Sequence, residues 1–283
     1  MILIIAVTSS LLALGLSACG DSDGGAKVVA TTGILASVTE HVAGDDIEVD
    51  QLIPEGADPH DFALSAVDRS ELEEAKLVVA NGSGLEAGIP LDDTDAEVWE
   101  LADHAGGLRE DDPHTWMDPT KVAAALPSLA DALADVDPEH AADYRRRADD
   151  YARELEALDS DIAAEIDAIA AADRRLVTSH DALGYFADRY GLDVIAPPFG
   201  SLGAESEPSA EALQTTIDAV RSSGVPAVFA QAEDDPSVME RIADETGVEV
   251  VDDLYVESPG PAETYEMMLR HDAELIRTAL ADR

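Results

Sequence analysis

The chain carries a single cysteine, Cys19, so no internal disulfide can staple it. Cations are also scarce: 17 Lys and Arg stand against 61 Asp and Glu, a formal net charge of −44. Only Lys27, Lys76 and Lys121 are lysines. A surface of this sign repels nucleic acid and anionic lipid, which excludes both as electrostatic partners. It attracts cations, but diffusely and without selectivity, and it suits a protein working in high salt. Short metal signatures of the His-Glu-x-x-His type are absent. With 46% hydrophobic residues in 283, the chain can build one large domain or two lobes.

The first eighteen residues, MILIIAVTSSLLALGLSA, contain no charge. The run is too short, and too soon followed by GDSDGG, to make a comfortable membrane span. Residues 1–18 read as a secretory signal whose usual basic residues are missing, and these are expected upstream of Met1. The junction LSA-Cys19-Gly20 resembles a bacterial lipobox. That resemblance implies that Cys19 becomes the lipidated first residue of the mature protein. Residues 19–26 would then be a polar tether, on the outer face of the cell membrane.

Beyond the tether, short apolar runs alternate with helical stretches. KVVATT and IEVDQLI are strand candidates, and ILASVTEHVAG is a helix closed by Gly44. A helix ending ELEEA feeds the strand KLVVAN. Between Gly82 and Pro113 loop signals dominate. From Asp137 about 35 residues run with no Gly and one Pro, in the first turn where a helix tolerates it. Tyr144, Ala148, Tyr151, Leu155, Leu158, Ile162, Ile166 and Ile169 step along it by three or four, one apolar stripe. Such a helix is roughly 50 Å long, a strut between two halves, with a coiled-coil segment as the alternative. After it the alternation resumes through LVTSH, DALGYFADRY, LDVIAP, EPSAEALQTTIDAVRSSG, PAVFA, PSVMERIADETG, VEVVD and a terminal helix. The expected fold is α/β: two lobes with mainly parallel sheets, residues 27–136 and 173–283, joined by one long connecting helix over 137–172.

Two of the seven His share one setting: Asp-Pro-His ends at His60 in EGADPHDF and at His114 in DPHTWMDP. Proline restricts the backbone before each imidazole, so the side chain leaves in a limited set of directions. His180 follows the strand RLVTS and Asp252 ends GVEVV, at the carboxyl edges where open α/β sheets place ligand sites. His60, His114, His180 and Asp252 can therefore converge on a metal site in the interlobe cleft. Each has a plainer reading: turns at His60 and His114, a helix cap at His180, a strand-end turn at Asp252 with Asp253 able to take its role. His41, His104, His140 and His271 read as ordinary solvated or packed residues.

Taken in order, VATTGILASVTEHVAGD, GADPHDF, NGSGLE, DPHTWMDP, TSHDALGYFADRYGL, EPSAEAL and ADETGVEVVDDL resemble the zinc- and manganese-binding lipoproteins of ABC importers. The resemblance runs from about Lys27 to the C-terminus. It implies a two-lobed fold with one long connecting helix, and metal ligands at His60, His114, His180 and the Asp of an Asp-x-Leu segment, here Asp252. It also implies that the partners are a divalent ion and an importer permease, with the membrane reached through the lipid. A monomer is expected. The chain departs from the family pattern in Ala63 and Leu64 after Phe62, in Gln231 where Glu is frequent, and in a short acidic loop where zinc-binding members carry a His-rich one. Manganese-binding relatives often place Glu where this chain has His180. Zinc is therefore the expected cargo and manganese the alternative. Two other classes stay open: a metal-dependent hydrolase with Asp61 or Asp253 as general base, and a surface adhesion protein.

Overall fold

A computed structural model describes residues 27–109, 112–195, 208–232 and 235–281. The signal, the tether and Cys19 lie outside the described residues.

The N-terminal lobe begins with β1 (Val28–Ala30), wholly buried, and α1 (Gly33–Ala43). Thr32 caps α1 by accepting from the Leu35 N–H, and Gly44 ends it at φ 62°, a conformation that glycine adopts without steric cost. β2 (Val49–Gln51) follows, then α2 (Ala66–Glu74), opened by a capping box in which Ser65 and Asp68 satisfy each other's backbone N–H. β3 (Leu77–Ala80), β4 (Glu97–Glu100) and α3 (Leu101–His104) complete the sheet layer. The strands are all parallel in the order β2-β1-β3-β4.

α4 (Pro119–Val136) starts at the DPT of the second Asp-Pro-His segment: Asp118 accepts from the Thr120 N–H, and Pro119 occupies the first helical position. A short 3-10 turn (Pro138–His140) then runs into α5 (Ala141–Asp167). The stripe read from the sequence, Tyr144 to Ile169, is buried at every position. α5 packs against α1 and α4. At 27 residues it is about 40 Å long, shorter than the 50 Å expected. Just past its end Arg174 folds back: its Nε donates to the Ile169 carbonyl and its Nη2 to Asp167. That guanidinium satisfies a carbonyl two residues beyond the helix.

The C-terminal lobe repeats the plan. β5 (Arg175–Leu176), α6 (Gly184–Tyr190), β6 (Asp193–Val194), α7 (Ala210–Ser223), β7 (Ala227–Gln231), α8 (Ser237–Thr246), β8 (Glu249–Leu254) and α9 (Tyr265–Ala281) alternate as the sequence implies. β5 pairs with β6 and β7 with β8, all parallel. A parallel bridge between Thr178 and Phe229 joins the pairs, with Phe229 N donating to the Val177 carbonyl and Ser179 N to the Phe229 carbonyl. The resulting order, β6-β5-β7-β8, matches that of the first lobe. α5 and α9 pack together, and α9 also reaches α1, so helices from both lobes meet along the connecting helix.

Candidate metal centre

His60 and His180 sit beyond the carboxyl ends of strands, and His114 in the loop between α3 and α4. His60 lies in the loop after β2, which extends the ladder by Leu52 N to the Ala30 carbonyl and Ile53 N to the Thr31 carbonyl. In that loop Asp58 accepts from the His60 backbone N–H at 2.8 Å. Asp112 does the same for His114 at 3.0 Å. The repeated Asp-Pro-His tripeptide is thus a repeated Asx turn that aims an imidazole. His180 follows β5, its carbonyl accepting from the Thr178 hydroxyl at 2.9 Å.

The three imidazoles come together. His114 Nε2 is 3.3 Å from His60 Nε2 and 3.0 Å from His180 Nε2. Asp252 does not join them: it is exposed on β8. The ladder there shifts between Phe229↔Val251 and Gln231↔Leu254, so Asp252 and Asp253 together oppose the single residue Ala230. This bulge turns both carboxylates toward solvent. Their place is taken by Glu257, just past the end of β8 and 8% exposed, whose Oε1 lies 3.4 Å from His60 Nε2 and 3.3 Å from the Nε2 atoms of His114 and His180. Potential ligand atoms of His60, His114, His180 and Glu257 all lie within 4.8 Å of one another. The His60 side chain is 20% exposed, against 3% and 8% for His114 and His180, so the group opens to solvent on the His60 side.

A second layer holds this group in place. His114 Nδ1 is 2.9 Å from Asp112 Oδ1, which directs Nε2 inward, and Arg109 Nε lies 3.0 Å from Asp112 Oδ2. The Tyr185 hydroxyl accepts from the Arg109 N–H and donates to the Asp112 carbonyl. Buried Glu86 accepts from the Thr31 hydroxyl and from the Asn81 and Gly82 N–H groups, and Asn81 Nδ2 donates to the Pro113 carbonyl. Burial raises the Glu86 carboxyl above its ordinary value, against the pull of those donors.

Burial works against a charge on His114, but Asp112 and Glu257 outweigh it and push the imidazole up to about 9. Burial would likewise raise Glu257, yet the facing imidazoles of His114, His180 and His60 hold it well below its ordinary value. Neither Glu257 oxygen has an oriented hydrogen-bond partner among the described residues. A buried carboxylate ringed by three ring nitrogens is the arrangement a cation satisfies.

The other histidines are accounted for elsewhere. His41 stacks on Tyr151 with centroids 4.0 Å apart, His104 stacks on Trp99, His140 bonds Asp137, and His271 Nε2 is 2.9 Å from the Asp253 carbonyl. His180 does not cap the following helix, whose N-cap position is Leu183.

The chain is similar over most of its length to known metal-binding proteins. A manganese-binding lipoprotein, MntA, of Halalkalibacterium halodurans is 27% identical over 293 residues, covering 96% of both chains. An iron-binding protein, YfeA, of Yersinia pestis is 28% identical over 267 residues, covering 88% of this chain and 85% of its own. Among solved structures, the periplasmic zinc binding protein TroA from Treponema pallidum superposes with a TM-score of 0.83 at 26% identity, covering 91% of this chain and 100% of that one. The family described as "Zinc-uptake complex component A periplasmic" matches residues 28–279, and with two α/β lobes, one long helix and this cluster between them, the chain belongs to the ZnuA family.

Proposed function

We propose that this chain captures a divalent transition-metal ion outside the cell and hands it to the membrane permease of an ABC importer. The ligands are His60, His114, His180 and Glu257. The observation that carries the reading is the convergence of three imidazoles on a buried carboxylate whose oxygens have no oriented partner. Four donors about 2.0–2.2 Å from a tetrahedral ion stand roughly 3.3–3.5 Å apart. Here the three separations from Glu257 Oε1 and the two from His114 Nε2 to the other imidazoles run from 3.0 to 3.4 Å, and all four atoms lie within 4.8 Å of one another. Nothing in this role requires a reaction: the ion is bound, carried and released, and one chain suffices.

Zinc is the favoured cargo, because three imidazole nitrogens and one carboxylate suit its four-coordinate preference, whereas manganese favours more oxygen ligands. Relatives named for manganese, iron and zinc show that cargo differs within this fold. Intrinsic affinity favours zinc over manganese at almost any such site, so the decisive measurement is made in cells. Protein purified after growth with both ions buffered should contain zinc, and zinc scarcity should induce the gene. Manganese in the protein together with induction by manganese starvation overturns the choice.

Lipidation at Cys19 would hold the protein on the outer face of the membrane, with two acyl chains binding far more firmly than one. Cys19→Ala should release the protein into the soluble fraction; a variant that still fractionates wholly with membranes contradicts the anchor. A metal-dependent hydrolase needs an open coordination position, which four protein ligands on a tetrahedral ion would fill. Asp253 faces solvent on β8 and Asp61 is exposed in its loop. Absence of turnover against ester, phosphoester and peptide substrates is the expected result, and measurable turnover would revive that reading.

A further inference from the structure

Ligand carboxylates are ordinarily oriented by hydrogen bonds to their spare oxygen. Glu257 has no such bond at either oxygen among the described residues, and what those residues do hold is its backbone. That backbone is gripped at two points. The Tyr255 N–H donates to Asp272 Oδ1 at 3.0 Å, within the C-terminal lobe. The carbonyl of Val256, the peptide leading directly into Glu257, accepts from the indole Nε1 of Trp116 at 2.7 Å.

Trp116 belongs to the other lobe, in the turn that carries His114. It is 2% exposed, and its ring meets the His114 imidazole edge-on with centroids 5.3 Å apart. Its own carbonyl accepts from the Tyr265 hydroxyl, and the Tyr265 N–H donates to the Ser37 hydroxyl on α1. One buried side chain therefore touches a ligand of the first lobe and fixes the peptide that aims a ligand of the second.

We propose that Trp116 is a positioning residue for the metal site, its indole N–H setting where Glu257 meets the three imidazoles. This rests on the metal-binding reading above. Trp116→Phe keeps a smaller aromatic ring beside His114 but removes the N–H, which frees the Val256 carbonyl to shift, and Glu257 with it. Loss of an outer partner of this kind weakens metal binding by about tenfold or more.

The test titrates the full-length mature protein with Co2+, whose visible absorption reports coordination geometry. Wild-type protein that takes up no Co2+, Zn2+ or Mn2+ overturns the metal-binding reading itself. If it binds, Trp116→Phe should raise the Co2+ dissociation constant about tenfold and change the intensity or position of the visible bands. Ile217→Val, in the separate apolar cluster of the C-terminal lobe, should lower stability while leaving bands and affinity as in wild type. A Trp116→Phe protein with wild-type bands and affinity overturns the positioning role. Should that variant not fold, Tyr265→Phe loosens the same residue from its carbonyl side. It should shift the bands in the same direction with a smaller affinity loss, and wild-type behaviour there overturns the inference equally.

Discussion

Glu257 Oε1 lies 3.3 Å from His180 Nε2, while Asp252, earlier on the same segment, faces solvent on the bulged edge of β8. The two carboxylates therefore make opposite predictions. A ligand that binds only the folded state stabilises it by about 2.7 kcal/mol at 100 times its dissociation constant. Glu257→Gln and His180→Ala should each lose most of that gain, and Asp252→Asn and His271→Ala should keep it. Thermal unfolding with and without Zn2+ is the measurement. Equal metal-induced shifts in all four variants, or loss in Asp252→Asn alone, would sink the assignment.

The same pair shows how far the sequence could be read. Periodicity of 3.6 along Tyr144 to Ile169 identified the connecting helix because its burial is one-sided and continuous. The Asp-Pro-His repeat identified His60 and His114 because the turn that aims them is local, an Asp side chain bonding a backbone N–H two residues on. α4 was missed although its start is written in Asp118-Pro119, because Pro127 within it reads as a breaker. Glu257 was missed for a non-local reason. Strand pairing carries β8 through Asp252 and Asp253 to Leu254, so the carboxyl edge falls later than the acidic pair implies. The usable signal was a lone Glu inside the otherwise uncharged YVESPG, where an acidic side chain needs a buried partner.

Protons and metal compete for this site. His114 is pushed up to about 9 in the metal-free protein, above its ordinary 6.5. Its contribution to metal-free stability is therefore complete below about 6.5 and is lost as pH rises through about 9. Glu257 is held down, so its contribution is present above its ordinary 4.5 and is lost as pH falls through its lower folded value. Metal-free protein should be most stable between about 4.5 and 6.5, and the ion should displace a proton near neutrality. Calorimetric titration in two buffers of different ionisation enthalpy should show proton release at pH 7.5, with affinity rising toward pH 9. An apparent affinity flat between about pH 7 and pH 4.5 would contradict a histidine-dominated site.

Salt should stabilise the fold. A net charge of −44 resists compaction, and many of the ion pairs that offset it are short-range Arg–Asp contacts at the surface, such as Arg145–Asp131 and Arg146–Asp143. Screening shortens the reach of the repulsion from about 10 Å at 0.1 M salt to about 3 Å at 1 M. The melting temperature of the metal-free protein should therefore rise steadily over that range of NaCl. A melting temperature that falls over the same range would mean the surface ion pairs outweigh the net repulsion.

Closure on metal should be small, because α5 is fastened to both lobes. Toward its N-terminal end, Arg147 donates to the Val42 and Ala43 carbonyls at the end of α1 and to Asp46. Toward its C-terminal end, buried Asp159 accepts from Arg189 Nε at 2.7 Å and from the Tyr190 hydroxyl, both on α6. Between these anchors the helix contains neither Gly nor Pro, the residues at which helices kink. Trp116 adds a third tie across the cleft through Val256. A hinge would have to break bonds at one of these points, so metal exchange should proceed by local movement of the more exposed His60 loop. Solution scattering with and without Zn2+ should give nearly superimposable curves, with a radius of gyration near the roughly 19 Å expected for a compact chain of this length. In Arg147→Ala combined with Asp159→Ala, both anchors are cut and the two curves should separate. A compaction of several ångströms in the wild-type protein would show that α5 bends in spite of them.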